Sequence, residues 1–168
     1  MIMNTTQPDL FVKMVLDAWY LHIKRTDDQF NSLSDAQLFH EVSPGRNRGV
    51  YLLGHLTAIH DRMLPLLGLG EMFQPGMYDL FVVQPYKADA EIPSVSELKS
   101  YWAQVNSALG EHFKKMTAVE WFQKHNAVSA EDFEKEPHRN RLNMIINRTN
   151  HLEYHRGQLA FLKKAEMQ

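Results

Sequence analysis

Apolar residues recur along this chain every three to four positions, separated by short polar breaks, the period of amphipathic helices rather than of strands. From Asp9 to Phe30, Phe11, Val15, Ala18 and His22 share a face with Met14 and Leu21 beside it, predicting a first long helix. Ser34-Asp-Ala-Gln37 is a capping box, and Leu33 and Leu38 around it fit a hydrophobic staple, so a short helix is expected over Asp35 to His40. Ser43-Pro-Gly-Arg-Asn47 reads as a turn. A second long helix covers Asn47 to Leu64, and Pro65 should end or kink it. Ser94-Val-Ser-Glu97 is another capping box. It opens a third long helix to Lys115 whose apolar face is Val95, Leu98, Trp102, Val105 and Leu109. Thr117-Ala-Val-Glu120 starts a short helix through Trp121 and Phe122. Asn126 to Arg139 is polar and expected to be irregular, and a last long helix runs from Asn140 to Lys164.

Leu67 to Pro93 departs from this pattern. It carries glycines and prolines but also Phe73, Tyr78, Phe81 and Tyr86, too many aromatics for a polar linker. A long, partly apolar connection of this kind serves as a lid, a binding loop or a subunit contact. Phe81-Val-Val is its one strand-like run. No internal repeat or domain boundary interrupts residues 1–168, which read as a single domain. Four long amphipathic helices imply an all-α four-helix bundle.

Composition narrows the function. A 44% hydrophobic and 23% charged chain of 168 residues can bury a substantial core. A net charge of −2 without a basic stripe argues against nucleic acid as a partner. No run approaches the roughly 18 apolar residues that span a membrane. The start, MIMNTTQPDL, does not read as a signal peptide, so a cytoplasmic location is expected. There are no cysteines, which removes disulfides, thiolate metal sites and cysteine nucleophiles.

Nine histidines are many for this length. His151 and His155 stand four apart, about 40° from each other on a helical wheel. Met144, Leu162, Leu152 and Leu159 share their arc, so both rings sit mid-stripe on a core-directed face. His55 holds the same position on the second helix, amid Tyr51, Leu52, Ala58 and Ile59. Buried ring nitrogens need partners, and an i, i+4 pair with a third ligand from a facing helix can share one metal ion. Three neutral imidazoles suit zinc, nickel, iron or cobalt, and three ligands leave coordination positions open, as in catalytic sites. His22 faces inward on the first helix and either hydrogen-bonds a ligand or packs in the core, and Gln158, near the histidine line, could hydrogen-bond a ligand or water or else cap a network in the bundle. Arg48 and Arg62 could steer an anionic substrate or simply solvate helix ends. Glu153 lies on the outer face, and His-Leu-Glu-Tyr-His is not a zinc-protease motif. His40, His60, His112, His125 and His138 read as surface or structural.

Tyr51-Leu-Leu-Gly-His55-Leu, taken with His151-Leu-Glu-Tyr-His155-Arg-Gly-Gln158-Leu, resembles the DinB-like family of small metal-binding bundles, unrelated to the DNA polymerase that shares the name. The resemblance extends to helix order and length. It implies a four-helix bundle with a long crossover, a metal triad of His55, His151 and His155, and nickel or zinc as the ion. It also implies homodimers and, in some branches, group transfer to low-molecular-weight thiols or thiol-dependent isomerisation.

Two function classes follow. One is a metal-dependent enzyme, a thiol-dependent transferase or a hydrolase acting on a small molecule. Its general base is not evident on the helices; Asp79, Asp89 and Glu91 of the connection are candidates. The other is a non-catalytic dimeric stress-response or interaction module, using the aromatic connection as its surface.

Overall fold

The first long helix, α1, spans Gln7–Asn31 in a computed structural model that describes residues 6–84 and 91–164. Thr6 and Asp9 cap it reciprocally. Its buried face is Val12, Trp19, Thr26 and Phe30. This corrects the expected stripe, because Phe11, Met14 and Leu21 are exposed, and Phe11 stacks on Phe122 at the surface. Trp19 and Phe30 are the large side chains the helix buries fully, and burying them sets its rotation.

The short helix α2 (Asp35–Phe39) has both halves of its capping box, and Leu33 and Leu38 are buried as a staple requires. Helix α3 (Gly49–Asp61) is buried on almost every side, the behaviour of an all-round apolar central helix. It breaks at Arg62, and α4 (Met63–Leu67) follows. Pro65 has no N–H to offer the Asp61 carbonyl, which explains the break. Gly68 then ends α4 in the left-handed conformation, at φ 71°.

The connection after α4 is more ordered than its composition suggests. Buried Asp61 accepts the backbone N–H groups of Phe73 and Gln74 at 2.9 and 2.8 Å, pinning the loop to α3. Helix α5 (Pro75–Tyr78) runs into a π-helical turn over Asp79–Val83. The strand reading of Phe81-Val-Val is therefore corrected. The Phe81 ring is fully buried, and a side chain on Gly54 would collide with it at about 2.4 Å. Tyr86 and Asp89 lie outside the described residues.

Helices α6 (Val95–Phe113) and α7 (Ala118–Trp121) start at the expected capping boxes. The polar stretch expected to be irregular contains α8 (Ala130–Lys135), capped by Ser129. Helix α9 (Arg141–Leu159) is capped by Asn140 and tightens into a 3₁₀ turn over Ala160–Lys164, so the last helix is shorter than its periodicity suggested. Helix α1 packs on α9, α3 packs on α6, and α3 also touches α9. Trp19 and Trp102 flank the fully buried His60 with ring centroids 4.9 Å away on each side, joining α1, α3 and α6. The fold is all-α: among the described residues there is no strand, and the only ladder contacts are isolated bridges at Glu41–Arg48 and Lys124–Asn140. No helix among them is long and apolar enough to cross a membrane.

Candidate metal centre

The α3–α9 contact brings three imidazoles together. Nε2 of His151 lies 3.2 Å from Nε2 of His55 and 3.1 Å from Nε2 of His155. One nitrogen from each of the three falls within 4.8 Å of the others, and no Asp or Glu among the described residues joins the group. All three rings are half-buried.

The outer ring nitrogens decide which protons the inner ones carry. His55 Nδ1 is 2.9 Å from the carbonyl oxygen of Phe81, and His155 Nδ1 is 2.8 Å from Oε1 of Gln158. Both oxygens are acceptors only, so each ring keeps its proton on Nδ1 and turns an Nε2 lone pair inward. Two lone pairs then face the Nε2 of His151 at hydrogen-bond distance. Either a proton on that nitrogen is shared between them, or a cation sits among three lone pairs. His151 Nδ1 is buried with no hydrogen-bond partner among the described residues.

The donor set fits a divalent ion. With metal–nitrogen bonds of about 2.0–2.1 Å, ligands at octahedral to tetrahedral angles stand about 2.9–3.4 Å apart, and both spacings to His151 Nε2 fall in that range. Burial also keeps the rings neutral. It lowers the pKa of His55, with Arg148 adding to the effect, and that of His155. In His151, burial, the two neighbouring imidazoles and Arg148 together lower it to about 4. Neutral imidazoles are ready to ligate at neutral pH without first losing a proton.

The π-helical turn explains the Phe81 carbonyl. Such a turn leaves carbonyls outside the usual α-helical bonding pattern. The Phe81 oxygen accepts from His55 and, at 3.0 Å, from the hydroxyl of Tyr51, one helical turn earlier on α3. Tyr51 also stacks over His55. Nothing in the side-chain pattern signals this acceptor, because it is a backbone atom held by tertiary packing.

The remaining candidates are placed as follows. Gln158 contacts His155, as above, and helps line a cleft of about 240 Å³ with Arg46, Asn47, Tyr154 and His155. His22 turns to Glu153 instead, 2.7 Å from Oε1, and Glu153 is held by Arg156 through both oxygens. Arg62 lies over the ring of Tyr78, 5.1 Å from its centroid. Arg48 is half-buried at the start of α3. Asp79 and Glu91 are exposed, and Asp89 lies outside the described residues. His60 bonds Asn106 Oδ1 through Nδ1 at 2.8 Å and is structural. Arg148 lies one turn from His151 on α9, and its burial beside the triad has no signature in the sequence.

The chain has no match among curated proteins. A family model described as DinB superfamily matches residues 18–159, a span that contains all three histidines and the helices that carry them. With most of the chain matched, this protein belongs to the DinB superfamily.

Proposed function

We propose that this protein is a divalent-metal-binding DinB protein, a four-helix bundle with a long crossover, in which His55, His151 and His155 hold nickel or zinc. The observation that carries the reading is the outward commitment of both Nδ1 protons, to Phe81 and to Gln158, which leaves Nε2 lone pairs facing one centre. When bound, such an ion supplies Lewis acidity, favouring the deprotonated form of a thiol or water group near neutral pH. Phe81 and Gln158 fix the ring orientations, and burial around α3 and α9 limits competing water. A thiol-dependent group transfer is the reaction class we favour, with hydrolysis second, in a cytoplasmic homodimer. The cleft beside His155 supports a small-molecule substrate, with Arg46 and Asn47 offering polar contacts.

Calorimetric titration with nickel and zinc, followed by turnover of electrophiles with a panel of low-molecular-weight thiols, tests this. We expect one ion per chain, lost in His155→Ala together with turnover. Activity that survives His155→Ala at full rate would take the metal out of the mechanism. One observation favours a second reading. A single proton shared from His151 Nε2 also accounts for the cluster, and the chain would then be a non-catalytic dimeric interaction module. Failure to take up either ion would select it.

A further inference from the structure

A second polar pocket lies one helical turn from the triad. It has a volume of about 280 Å³ and sits between α9, α4 and the turn that follows α7. Its polar lining is Arg139, Arg148, His125, Asn143 and Asn147, and no carboxylate among the described residues lines it. Leu66 and Met144 contribute apolar floor. The walls are fixed. Asn126 donates its backbone N–H to the Leu66 carbonyl at 2.8 Å and its side-chain amide to the Pro65 carbonyl at 2.7 Å, locking the turn onto α4. The Arg141 N–H reaches the Gln123 carbonyl at 2.9 Å and ties the other side to α9.

The donors point to what is missing. Arg148 is half-buried, its Nε is buried without a hydrogen-bond partner, and no ion pair among the described residues involves it. A half-buried guanidinium without a counter-charge costs free energy, and a bound carboxylate or phosphate would offset that cost with charge-assisted hydrogen bonds. Arg139 stands at the rim, paired with Glu136 on the exposed side at 3.1 Å. His125 accepts the Ala127 N–H at Nδ1, which leaves its proton on Nε2 as another donor. The Asn143 and Asn147 side-chain amides have no hydrogen-bond partners among the described residues, so further donors are free.

We propose that this pocket binds the oxyanion of a small molecule, a carboxylate or a phosphate, gripped chiefly by Arg148 with Arg139 at its edge. The site does not depend on metal at the triad. Its position beside His151 suits a substrate or effector bound next to the reaction centre. The volume admits a small anion or one end of a larger ligand, not a folded polymer.

The test is titration of the full chain, without added metal, with inorganic phosphate and with malonate, followed by amide chemical shifts. Saturable binding of either probe, with shifts centred on residues 125–127 and 139–148, is expected. Response to one probe alone assigns the group as phosphoryl or carboxylate. Arg148→Gln should weaken the binding about tenfold or more, the loss of a charge-assisted contact. Arg139→Gln, a change at the rim that leaves the core intact, should weaken it several-fold, and Lys24→Gln on the far surface should leave it unchanged. No saturable binding, or equal weakening in the Lys24 variant, would overturn the proposal. Because no metal is added, either result is independent of the triad titration.

Discussion

Gly54 and Phe81 are fitted to each other. The Phe81 ring occupies the space where a Gly54 side chain would stand, and the Phe81 carbonyl, on the other side of the same residue, holds the His55 ring. The glycine that precedes the first candidate ligand in sequence thus sets the position of the group that orients that ligand.

Gly54→Ala should therefore act on stability and on the site together. A methyl group there meets three Phe81 ring atoms at 2.4–2.6 Å, so the ring and its backbone must shift. We expect a loss of about 1–3 kcal/mol, typical of overpacking. Metal affinity should fall as well, because the His55–Phe81 bond lengthens. Chemical denaturation and metal titration of the same sample would check both, and unchanged metal affinity would show that the carbonyl does not govern the ring.

Gln158→Leu keeps the bulk of the side chain and removes the acceptor of the His155 Nδ1 proton. Losses of this type reduce metal affinity by about tenfold to a hundredfold. Thermal stability without metal should change little, since Gln158 is only partly buried. A calorimetric titration reads the first effect and a melting curve the second.

Metal should raise the unfolding midpoint by mass action. At a free ion concentration a hundred times the dissociation constant, the gain is about 2.7 kcal/mol for a native-only binder. His151→Ala should abolish the gain, because His151 Nε2 lies within 3.2 Å of both partners. Differential scanning calorimetry with and without nickel or zinc measures it.

Acid should destabilise the fold through His60. Burial lowers its pKa to about 3, against 6.5 in a free histidine, with the Asn106 hydrogen bond opposing the shift. Between these values the unfolded chain binds a proton that the folded chain does not. The His60 contribution is therefore complete above about pH 6.5 and is lost as pH falls toward 3. Denaturant midpoints measured from pH 7 to pH 4 should fall, and the slope should flatten in His60→Gln.

The triad was readable from the sequence because its geometry is local. An i, i+4 pair lies on one face of any helix, and His55 occupies the matching stripe of α3, so convergence needed only that the two helices meet. Helix starts were readable for the same reason, since a capping box is written within four residues. The rotation of α1 was not. Phe11, Val15, Ala18 and His22 form a regular stripe with Met14 and Leu21 beside it, but choosing between adjacent stripes requires knowing which one faces Trp102 and Phe113. Phe81-Val-Val read as strand-like because these residue types favour extended backbone, whereas packing onto Gly54 holds them in a π-helical turn. The Phe81 carbonyl and the uncompensated Arg148 became visible only with partners counted in space.

The pairing of α1 with α9 has a consequence for how the protein folds. Helices far apart in the chain must dock, so closing that contact costs more loop entropy than the neighbouring α3–α4 junction. Docking of α1 and α9 is therefore expected after the rate-limiting step of refolding, so destabilising substitutions at Trp19 or Ile145 should change the unfolding rate more than the folding rate in stopped-flow measurements.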